Sequence, residues 1–288
     1  MLYLKRFCFQ SEGQEWNFFM EQKRTCYDTF YPYQVFPQKG LLHLDFEPVT
    51  ILYGGNGSGK TTVLNVIAEK LRLQRESLYN RSNFFGDYIA GCSYSLASEV
   101  WEIPRTSRVI TSDDVFDYIL NVRCLNEGIH EKREELLAEY TELKYSQFQL
   151  KSLEDYDKLK KVNLSRSKSQ SKYIRRNLMD NVKERSNGES AFMYFVEKIR
   201  EDGLYLLDEP ENSLSPQRQL ELLEFIKDSA RFFGCQFIIS THSPFLLSMK
   251  GARIYNLDQS PVSVQKWTEL ENVRTYYEFF KQHEEDFL

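Results

Sequence analysis

The fold of this chain is decided by the stretch Pro48-Val-Thr-Ile-Leu-Tyr53-Gly54-Gly-Asn-Gly-Ser-Gly59-Lys60-Thr61 and by the residues that follow it. A short apolar run after a proline predicts a buried strand. Val63, Val66, Ile67 and Leu71 lie at helical spacing, which predicts a helix after the glycines. The glycine-rich segment fits Gly-x-x-x-x-Gly-Lys-Ser/Thr and has the strand-loop-helix context that this motif requires. It is therefore predicted to be a phosphate-binding P-loop.

The chemistry of the loop indicates a nucleotide and a magnesium ion. Glycines let backbone amides turn toward phosphate oxygens, and the start of the helix adds its positive dipole end. We expect Lys60 to neutralise the β- and γ-phosphates and Thr61 to offer a hydroxyl to Mg²⁺, which prefers oxygen ligands. The predicted nucleotide contacts are Gly54, Gly55, Asn56, Gly57, Ser58, Gly59, Lys60, Thr61 and Thr62.

A second site follows Leu204-Tyr-Leu-Leu207, which reads as another buried strand and ends in Asp208-Glu209-Pro210. An aspartate at the end of such a strand can reach the magnesium, and an adjacent glutamate can polarise the attacking water. Asp208 is therefore predicted to bind metal and Glu209 to be the catalytic base. The alternative is that two acids simply end a strand.

A third site follows Cys235-Gln-Phe-Ile-Ile239, where His242 stands just beyond another buried strand. His242 is predicted to sense the γ-phosphate and to take part in catalysis, although a lone histidine is more often structural. Ser215 and Pro216 are suited to begin a helix, and Gly234 to end it. Buried strands that alternate with amphipathic helices predict an α/β fold with a parallel or mixed central sheet covered on both faces by helices.

The middle of the chain has a different amino-acid composition. From Glu127 to about Val162 it is highly charged and free of proline, which predicts one or two long helices. Ile129, Leu136, Leu143 and Leu150 lie seven residues apart on one seam. A helical lobe inserted into the core is favoured over a free coiled-coil arm. We predict a split nucleotide-binding core, residues 1–120 and 180–288, with an inserted helical lobe at 121–179.

The formal charge of −5 conceals one basic segment. Residues 158–176 contain eight Lys or Arg and no Asp or Glu, whereas the rest of the chain has 29 basic against 42 acidic residues. This segment is predicted either to track nucleic-acid phosphates or to be a solvated linker. The 288 residues include no apolar stretch near the roughly 20 needed to span a bilayer. The five cysteines lack Cys-x-x-Cys spacing, which favours reduced thiols and a cytoplasmic location.

Together these motifs resemble an ABC-type P-loop ATPase of the SMC/RecF-like kind. The resemblance rests on the P-loop and on two further segments, Leu206-Leu-Asp-Glu-Pro210 and Ser240-Thr-His-Ser-Pro244. The signature loop of that superfamily is resembled by Ser186-Asn-Gly188-Glu189-Ser190. Closer still, the chain is similar to small stand-alone bacterial predicted ATPases of the AAA family. The resemblance implies an ABC-ATPase-like head that binds ATP and Mg²⁺ and closes head to tail as a homodimer. Ser186, Gly188 and Glu189 would then contact ATP held by the partner copy.

Three departures from the family pattern matter. Arg108-Val-Ile-Thr111-Ser-Asp113-Asp114 stands where a Q-loop glutamine is expected, so Asp113 or Asp114 would take the magnesium-side role, unless both are surface acids. Ser215 occupies a position where transporters commonly have Asp. The 46 residues after His242 are too few for the Toprim domain of longer related nucleases, so a nuclease or other effector would be a partner.

The leading hypothesis is an ATP-hydrolysing switch that signals to a macromolecular partner in DNA repair or phage defence. One alternative is the energising subunit of a membrane transporter, and another is a nucleic-acid-binding module with little hydrolysis that uses residues 158–176. Tyr31, Tyr33 and Phe36 are candidates for stacking on adenine, but such aromatics are more often packing residues.

Overall fold

The computed structural model describes residues 1–24, 26–146, 156–182 and 186–288. The chain forms two compact units. The first consists of Met1–Phe116 and Asn187–Leu288, and the second is Asp117–Ser186.

The first unit contains a six-stranded sheet with the order β5-β6-β7-β3-β8-β9. Its strands are β3 Val49–Tyr53, β5 Arg108–Thr111, β6 Gly203–Asp208, β7 Cys235–Ser240, β8 Arg253–Asn256 and β9 Ser263–Val264. The pairs from β5 to β8 are parallel, and β9 is antiparallel to β8. The predicted α/β fold with a parallel or mixed sheet is confirmed, with one antiparallel edge strand that makes the sheet mixed.

Strand order brings the predicted motifs to one edge of this sheet. β3, β6 and β7 are neighbours, and their side chains are buried as expected for central strands. Since parallel strands end on the same side, the P-loop after β3, Asp208 at the end of β6 and His242 after β7 lie together. This is the edge at which open α/β sheets bind ligands.

The helices of the first unit lie between its strands in sequence or follow the last of them. They are α1 Glu12–Glu21, α2 Lys60–Leu71, α3 Phe85–Gly91, α7 Asn187–Lys198, α8 Pro216–Phe232, α9 Pro244–Leu247 and α10 Glu271–Gln282. Ser215 caps α8 by accepting from the Arg218 amide, and Gly234 adopts a φ of +63° directly after it, so both predicted boundaries are confirmed. α2 packs against β6 and β7 with Val63, Val66 and Ile67 buried.

A smaller antiparallel sheet in the same unit explains much of the aromatic content. It has the order β2-β1-β4, with β1 Leu4–Cys8, β2 His43–Asp45 and β4 Ser93–Leu96. Around it, ring pairs link α1 and the segment before β2 to α3, including Phe18 with Tyr33 at 4.3 Å and Phe30 with Phe84 at 4.9 Å between ring centroids. These four rings belong to the core or pack against it, whereas Trp16 of α1 and Tyr94 of β4 are exposed.

The second unit is helical. α4, Ser112–Tyr145, begins earlier than the predicted Glu127, and α5 Tyr156–Ser167 and α6 Gln170–Asn177 follow. Ile129, Leu136 and Leu143 are buried on the predicted seam, whereas Leu150 lies outside the described residues. Leu136, Tyr140 and Tyr173 form a core, against which Leu164, Ile174 and Leu178 pack.

Among the residues that the structure describes, none of the helices has both the length and the apolar character needed to cross a bilayer.

Candidate functional site

The P-loop connects β3 to α2 with a backbone that only small residues fit. Gly57 and Gly59 have φ values of +79° and +93°, a region that favours glycine. A Cβ at Gly54 would lie 2.5 Å from Ser58 Oγ. The predicted strand, loop and helix are therefore present at the expected residues, with the α2 amides at the end of the loop.

Lys60 is buried inside the loop and points back across it. Its side chain is 4% exposed, and Nζ donates to the carbonyl oxygens of Gly54 at 2.7 Å and Gly55 at 3.1 Å. Nζ also lies 3.5 Å from Glu209 Oε1. The one cation of the loop thus contacts both the loop and the residue predicted to be the catalytic base.

Asp208 and Thr61 form the predicted metal-binding pair. Thr61 Oγ1 donates to Asp208 Oδ1 at 3.2 Å, and Ser240 Oγ also donates to Oδ1. Burial raises the pKa of Asp208, while the two hydroxyl donors oppose that shift. A partly buried carboxylate held by hydroxyls would be stabilised by a cation.

The donor set at this point fits Mg²⁺. The described residues hold no cluster of three His, Cys, Asp or Glu that could bind a metal ion by itself. Magnesium is usually held by one or two carboxylates, with waters and substrate phosphates completing its shell. Thr61 Oγ1 and Asp208 Oδ1 are hard oxygen donors of that kind.

Glu209 stands in a strained backbone position at the sheet edge. Its φ of +48° is unusual for a residue other than glycine, and its amide donates to Ser240 O at 3.0 Å. Asn212 Nδ2 donates to Glu209 Oε2 at 3.1 Å. The strand therefore turns sharply after Asp208 and holds Glu209 between Lys60 and His242, which agrees with the tendency of strained residues to lie at functional sites.

His242 lies between two carboxylates. Its Nδ1 is 3.8 Å from Glu209 Oε1 and 3.7 Å from Glu211 Oε1. The side chain is 43% exposed, so the ring reaches solvent at the site. Glu209 and His242 are therefore neighbours, as the motifs predicted from separate strands.

Three residues of this site were not identified from the sequence. Glu211 is 6% exposed and bonds the loop around His242. Asn272 Nδ2, at the start of α10, donates to His242 O at 2.8 Å. Asp258, after β8, accepts the Gly55 amide with both carboxylate oxygens at 2.9 and 3.0 Å. Of these three residues, only Glu211 had a local signal in the sequence, because it directly follows Asp208-Glu209-Pro210.

Asp113 and Asp114 have different surroundings. Asp114 is buried and accepts from the amide and hydroxyl of Thr111 at 2.7 and 2.9 Å, so it caps the start of α4. Asp113 is exposed and lines a cavity of about 700 Å³ together with Thr61 and Asp208. Of the two acids, Asp113 is the one beside the predicted metal site.

The three aromatic candidates for adenine stacking also separate. Tyr33 and Phe36 are 5% and 1% exposed and belong to the aromatic core. Tyr31 lines the same cavity as Asp113, and its hydroxyl donates to Thr62 Oγ1 at 3.0 Å. Only Tyr31 lies beside the P-loop helix at a cavity.

The signature segment lies at the start of α7, which begins at Asn187. A Cβ at Gly188 would have Arg218 Cγ and Ser213 O as its nearest neighbours, both at 3.8 Å. Glu189 pairs with Arg218 at 3.3 Å. Gly188 and Glu189 thus lie beside the segment that follows Glu209. Ser186 is exposed, and it is assigned to the second unit.

The basic segment 158–176 lies within α5 and α6 apart from a short connection, rather than in an unstructured linker. Lys161 pairs with Glu139 at 2.6 Å. Lys172, Arg175 and Arg176 are exposed on α6. Lys160, Lys161, Arg166 and Lys168 are exposed as well, so the three cations on α6 are one part of a longer accessible basic surface.

The middle of the chain matches a protein-family model. Residues 94–248 match the family described as "AAA domain, putative AbiEii toxin, Type IV TA system". The matched range is more than half of the chain and includes Asp208, Glu209 and His242. The curated proteins gave no significant match.

Solved structures with a similar arrangement include SMC heads and a transporter. The SMC head domain from Thermotoga maritima is 13% identical, with 91% of this chain and 98% of that chain covered and a TM-score of 0.39. The Smc head domain with an extended coiled coil, bound to the C-terminal domain of ScpA and derived from Pyrococcus furiosus, is 15% identical, with coverages of 83% and 95% and a TM-score of 0.38. The structure described as "An inward-facing conformation of a putative metal-chelate type ABC transporter" is 15% identical, with coverages of 83% and 81% and a TM-score of 0.38.

Proposed function

This chain belongs to the AAA-domain family, and we propose that it binds ATP and hydrolyses it to ADP and phosphate. The observation that carries the proposal is the pair of contacts across the sheet edge. Thr61 bonds Asp208 at 3.2 Å and Lys60 lies 3.5 Å from Glu209, although these partners are about 150 residues apart in sequence. A P-loop joined to two acids in this way is the arrangement that phosphoryl transfer to water requires.

Each residue of the site has a role that follows from its position. The P-loop amides and Lys60 hold the phosphates, and Tyr31 stacks on the base at the cavity beside Thr62. Thr61 and Asp208 would hold Mg²⁺, with Asp113 on its outer side. When bound, the ion neutralises charge on the phosphate oxygens.

Glu209 receives the proton of the attacking water, since it is the carboxylate at the sheet edge that is not engaged with Thr61. Asn212 and Lys60 orient it. His242 contacts the γ-phosphate from the neighbouring strand end. General-base catalysis of this kind contributes typically 10²- to 10⁴-fold to the rate.

We further infer that two copies close head to tail around ATP. In that arrangement Ser186, Gly188 and Glu189 of one copy complete the phosphate site of the other. What supports this is the resemblance of Ser186-Asn-Gly188-Glu189-Ser190 to a signature loop; within one copy, Gly188 lies beside Ser213 in the segment that follows Glu209. ATP binding then closes the dimer, hydrolysis opens it, and a partner protein reads the change.

The biological role proposed is defence against phage or repair of DNA. The family description names an AbiEii toxin and a type IV toxin–antitoxin system, which favours a defence role over repair. A nuclease or other effector would act as the partner. Exposed Lys172, Arg175 and Arg176 on α6 support nucleic acid as a second binding target.

The test follows phosphate release and molecular mass together. Wild-type protein should release phosphate with ATP and Mg²⁺, and EDTA should stop it. Glu209→Gln should lose turnover and accumulate as an ATP-bound dimer in light scattering. Glu224→Gln, which removes an exposed carboxylate paired with Lys227 on α8, is the matched control and should behave as wild type. Normal turnover in Glu209→Gln would reject the assignment of the base.

A further inference from the structure

We propose that Glu211 is a positioning residue for His242, and this inference rests on the proposed hydrolysis of ATP. Glu211 lies in the short turn Pro210–Ser213 after Glu209, and it is 6% exposed. Neither the family description nor the motifs assign it a role. It acts through His242 rather than on the nucleotide.

A single oxygen of Glu211 accepts three hydrogen bonds from the loop that follows β7. Oε1 accepts from Thr241 Oγ1 at 2.6 Å, from the His242 amide at 3.0 Å and from the Ser243 amide at 3.2 Å. Burying a carboxylate costs several kcal/mol unless it is well bonded. The three donors bond Oε1, whereas Oε2 is buried without a hydrogen-bond partner among the described residues. The loop conformation at His242 is therefore tied to the charge of Glu211.

The same oxygen faces the imidazole. Glu211 Oε1 is 3.7 Å from His242 Nδ1, and Glu209 Oε1 is 3.8 Å from it. These distances are longer than a hydrogen bond, so the contacts are electrostatic. With two carboxylates on its Nδ1 side, the ring keeps a proton on Nδ1 and leaves Nε2 free to face the nucleotide, because the partner of one ring nitrogen fixes the state of the other.

The backbone of His242 is also held from its other side. Its carbonyl accepts from Asn272 Nδ2 at 2.8 Å, and the Asn272 amide donates to Tyr53 Oη at 3.2 Å. Tyr53 is the last residue of β3 before the P-loop. Glu211 thus fixes the amide side of His242, and Asn272 fixes its carbonyl side relative to the P-loop strand.

The contacts of Glu209 and Glu211 indicate different roles for the two acids. Glu209 is 25% exposed and contacts Lys60 as well as the imidazole, so it faces the phosphate site. Glu211 is buried, and among the contacts in the described residues its carboxylate bonds only the loop of His242. Loss of Glu211 should therefore affect the chemical step through His242 and leave nucleotide binding intact.

The experiment compares Glu211→Gln with Glu224→Gln. Glutamine keeps an oxygen that can accept the loop donors but removes the charge opposite Nδ1. We expect kcat for ATP to fall about 10- to 100-fold, with the Kd for a non-hydrolysable ATP analogue unchanged within about twofold. Glu211→Asp should recover part of kcat, since it restores the charge. A parallel loss of kcat and of nucleotide binding would indicate a merely structural role and overturn the proposal.

A spectroscopic measurement separates this inference from the proposed function. The chain has four histidines, so long-range ¹H–¹⁵N spectra of the imidazoles can be assigned by comparison with His242→Asn. In wild-type protein without nucleotide, neutral His242 should carry its proton on Nδ1, and in Glu211→Gln the Nε2–H form should appear. An Nε2–H form in the wild type would overturn the positioning role even if Glu211→Gln failed to fold. If no ATP is hydrolysed but the tautomer behaves as expected, only the proposed function fails.

Discussion

Lys60 Nζ lies 3.5 Å from Glu209 Oε1, so the P-loop cation and the proposed base form an ion pair across the sheet edge. Lys60 is 4% and Glu209 25% exposed, which makes the pair less screened than a surface salt bridge. In the proposed mechanism ATP competes with Glu209 for Lys60, because its phosphates would bind the same ammonium. Nucleotide binding would then release Glu209 at the point where the proposal needs it to accept a proton.

This competition predicts that Glu209→Gln binds ATP more tightly than wild type. The change frees Lys60 and removes a negative charge near the phosphates, and two charges 4 Å apart interact by about 1 kcal/mol in water. We expect the Kd for a non-hydrolysable ATP analogue to fall about fivefold, measured by calorimetric titration. Lys60→Ala should abolish measurable binding. Weaker binding by Glu209→Gln would contradict the release of Glu209 by nucleotide.

The glycines of the P-loop predict a second outcome. A Cβ at Gly54 would lie 2.5 Å from Ser58 Oγ and 3.1 Å from Asp258 Oδ1, so Gly54→Ala must displace the loop. We expect nucleotide binding to weaken at least about tenfold, because amides that are displaced no longer converge on phosphate. Gly86→Ala, in α3 with no atom within 4 Å of its Cβ, is the control. It should keep binding and raise stability by about 0.5–1 kcal/mol in urea unfolding.

Part of this site was predictable because its signals are local in sequence. The P-loop and Asp208-Glu209 combine a strand pattern with the residue types that follow it, and parallel topology then brings them together. Asp258 and Asn272 could not be assigned in this way, and Glu211 had only its place after Pro210 as a local signal. Asp258 and Gly55, which form a hydrogen bond, are 203 residues apart in sequence, and Asn272 and His242 are 30 residues apart. Hydrophobic periodicity does not indicate which polar side chain will bond a distant backbone group.

The fold, like the site, was only partly predictable from the sequence. The helical middle was evident from its charge and lack of proline, but these features place its start too late. α4 begins at Ser112, where Thr111 and Asp114 form a capping box: the Thr111 amide donates to the Asp114 carboxylate, and the Asp114 amide donates to Thr111 Oγ1. The Thr-x-x-Asp pattern marks this boundary better than charge and proline content do. The aromatic excess also became interpretable only from ring contacts such as Phe18 with Tyr33. Composition predicts that such residues pack, but not against which partners.

The cysteines predict a reactivity order. Burial raises the pKa of Cys92 to about 12 and that of Cys235 to about 11, so at pH 8 about one thiol in a thousand or fewer is a thiolate. Cys26 and Cys124 are exposed. In a short iodoacetamide pulse read by peptide mass spectrometry, Cys26 and Cys124 should be modified and Cys92 and Cys235 protected. All should react in denaturant. Rapid labelling of Cys235 in the folded protein would show that β7 is open.

The basic segment predicts a salt-dependent interaction with nucleic acid. Lys172, Arg175 and Arg176 are exposed on α6, and each phosphate contact contributes about 0.7 to 0.9 to the slope of log K against log salt. Replacing the three by Ala should reduce the slope for single-stranded DNA by about 2 to 3, measured by fluorescence anisotropy from 50 to 300 mM salt. Lys227→Ala on α8, which removes a cation paired with Glu224, is the control. A slope that the triple variant leaves unchanged would exclude direct contact.

The head-to-tail dimer predicts complementation between two inactive variants. Lys60→Ala disables the P-loop of a copy, and Gly188→Ala disables its signature segment. The added methyl at Gly188 would meet Arg218 Cγ and Ser213 O at 3.8 Å, which is ordinary contact, so the fold should survive and only a phosphate approaching from the partner copy should be obstructed. Each variant alone should release little phosphate.

Mixed in equal amounts, the two variants should recover activity. In a mixed dimer the intact P-loop of the Gly188→Ala copy faces the intact signature of the Lys60→Ala copy, which restores one complete site of two. Because half of the dimers are mixed and each has one good site, steady-state phosphate release should reach about a quarter of the wild-type rate if the two sites act independently. A mixture of Lys60→Ala with Lys60→Ala/Gly188→Ala has no complete site and is the control. If the first mixture stays as inactive as this control while both proteins remain folded by circular dichroism, Gly188 does not act across a dimer interface.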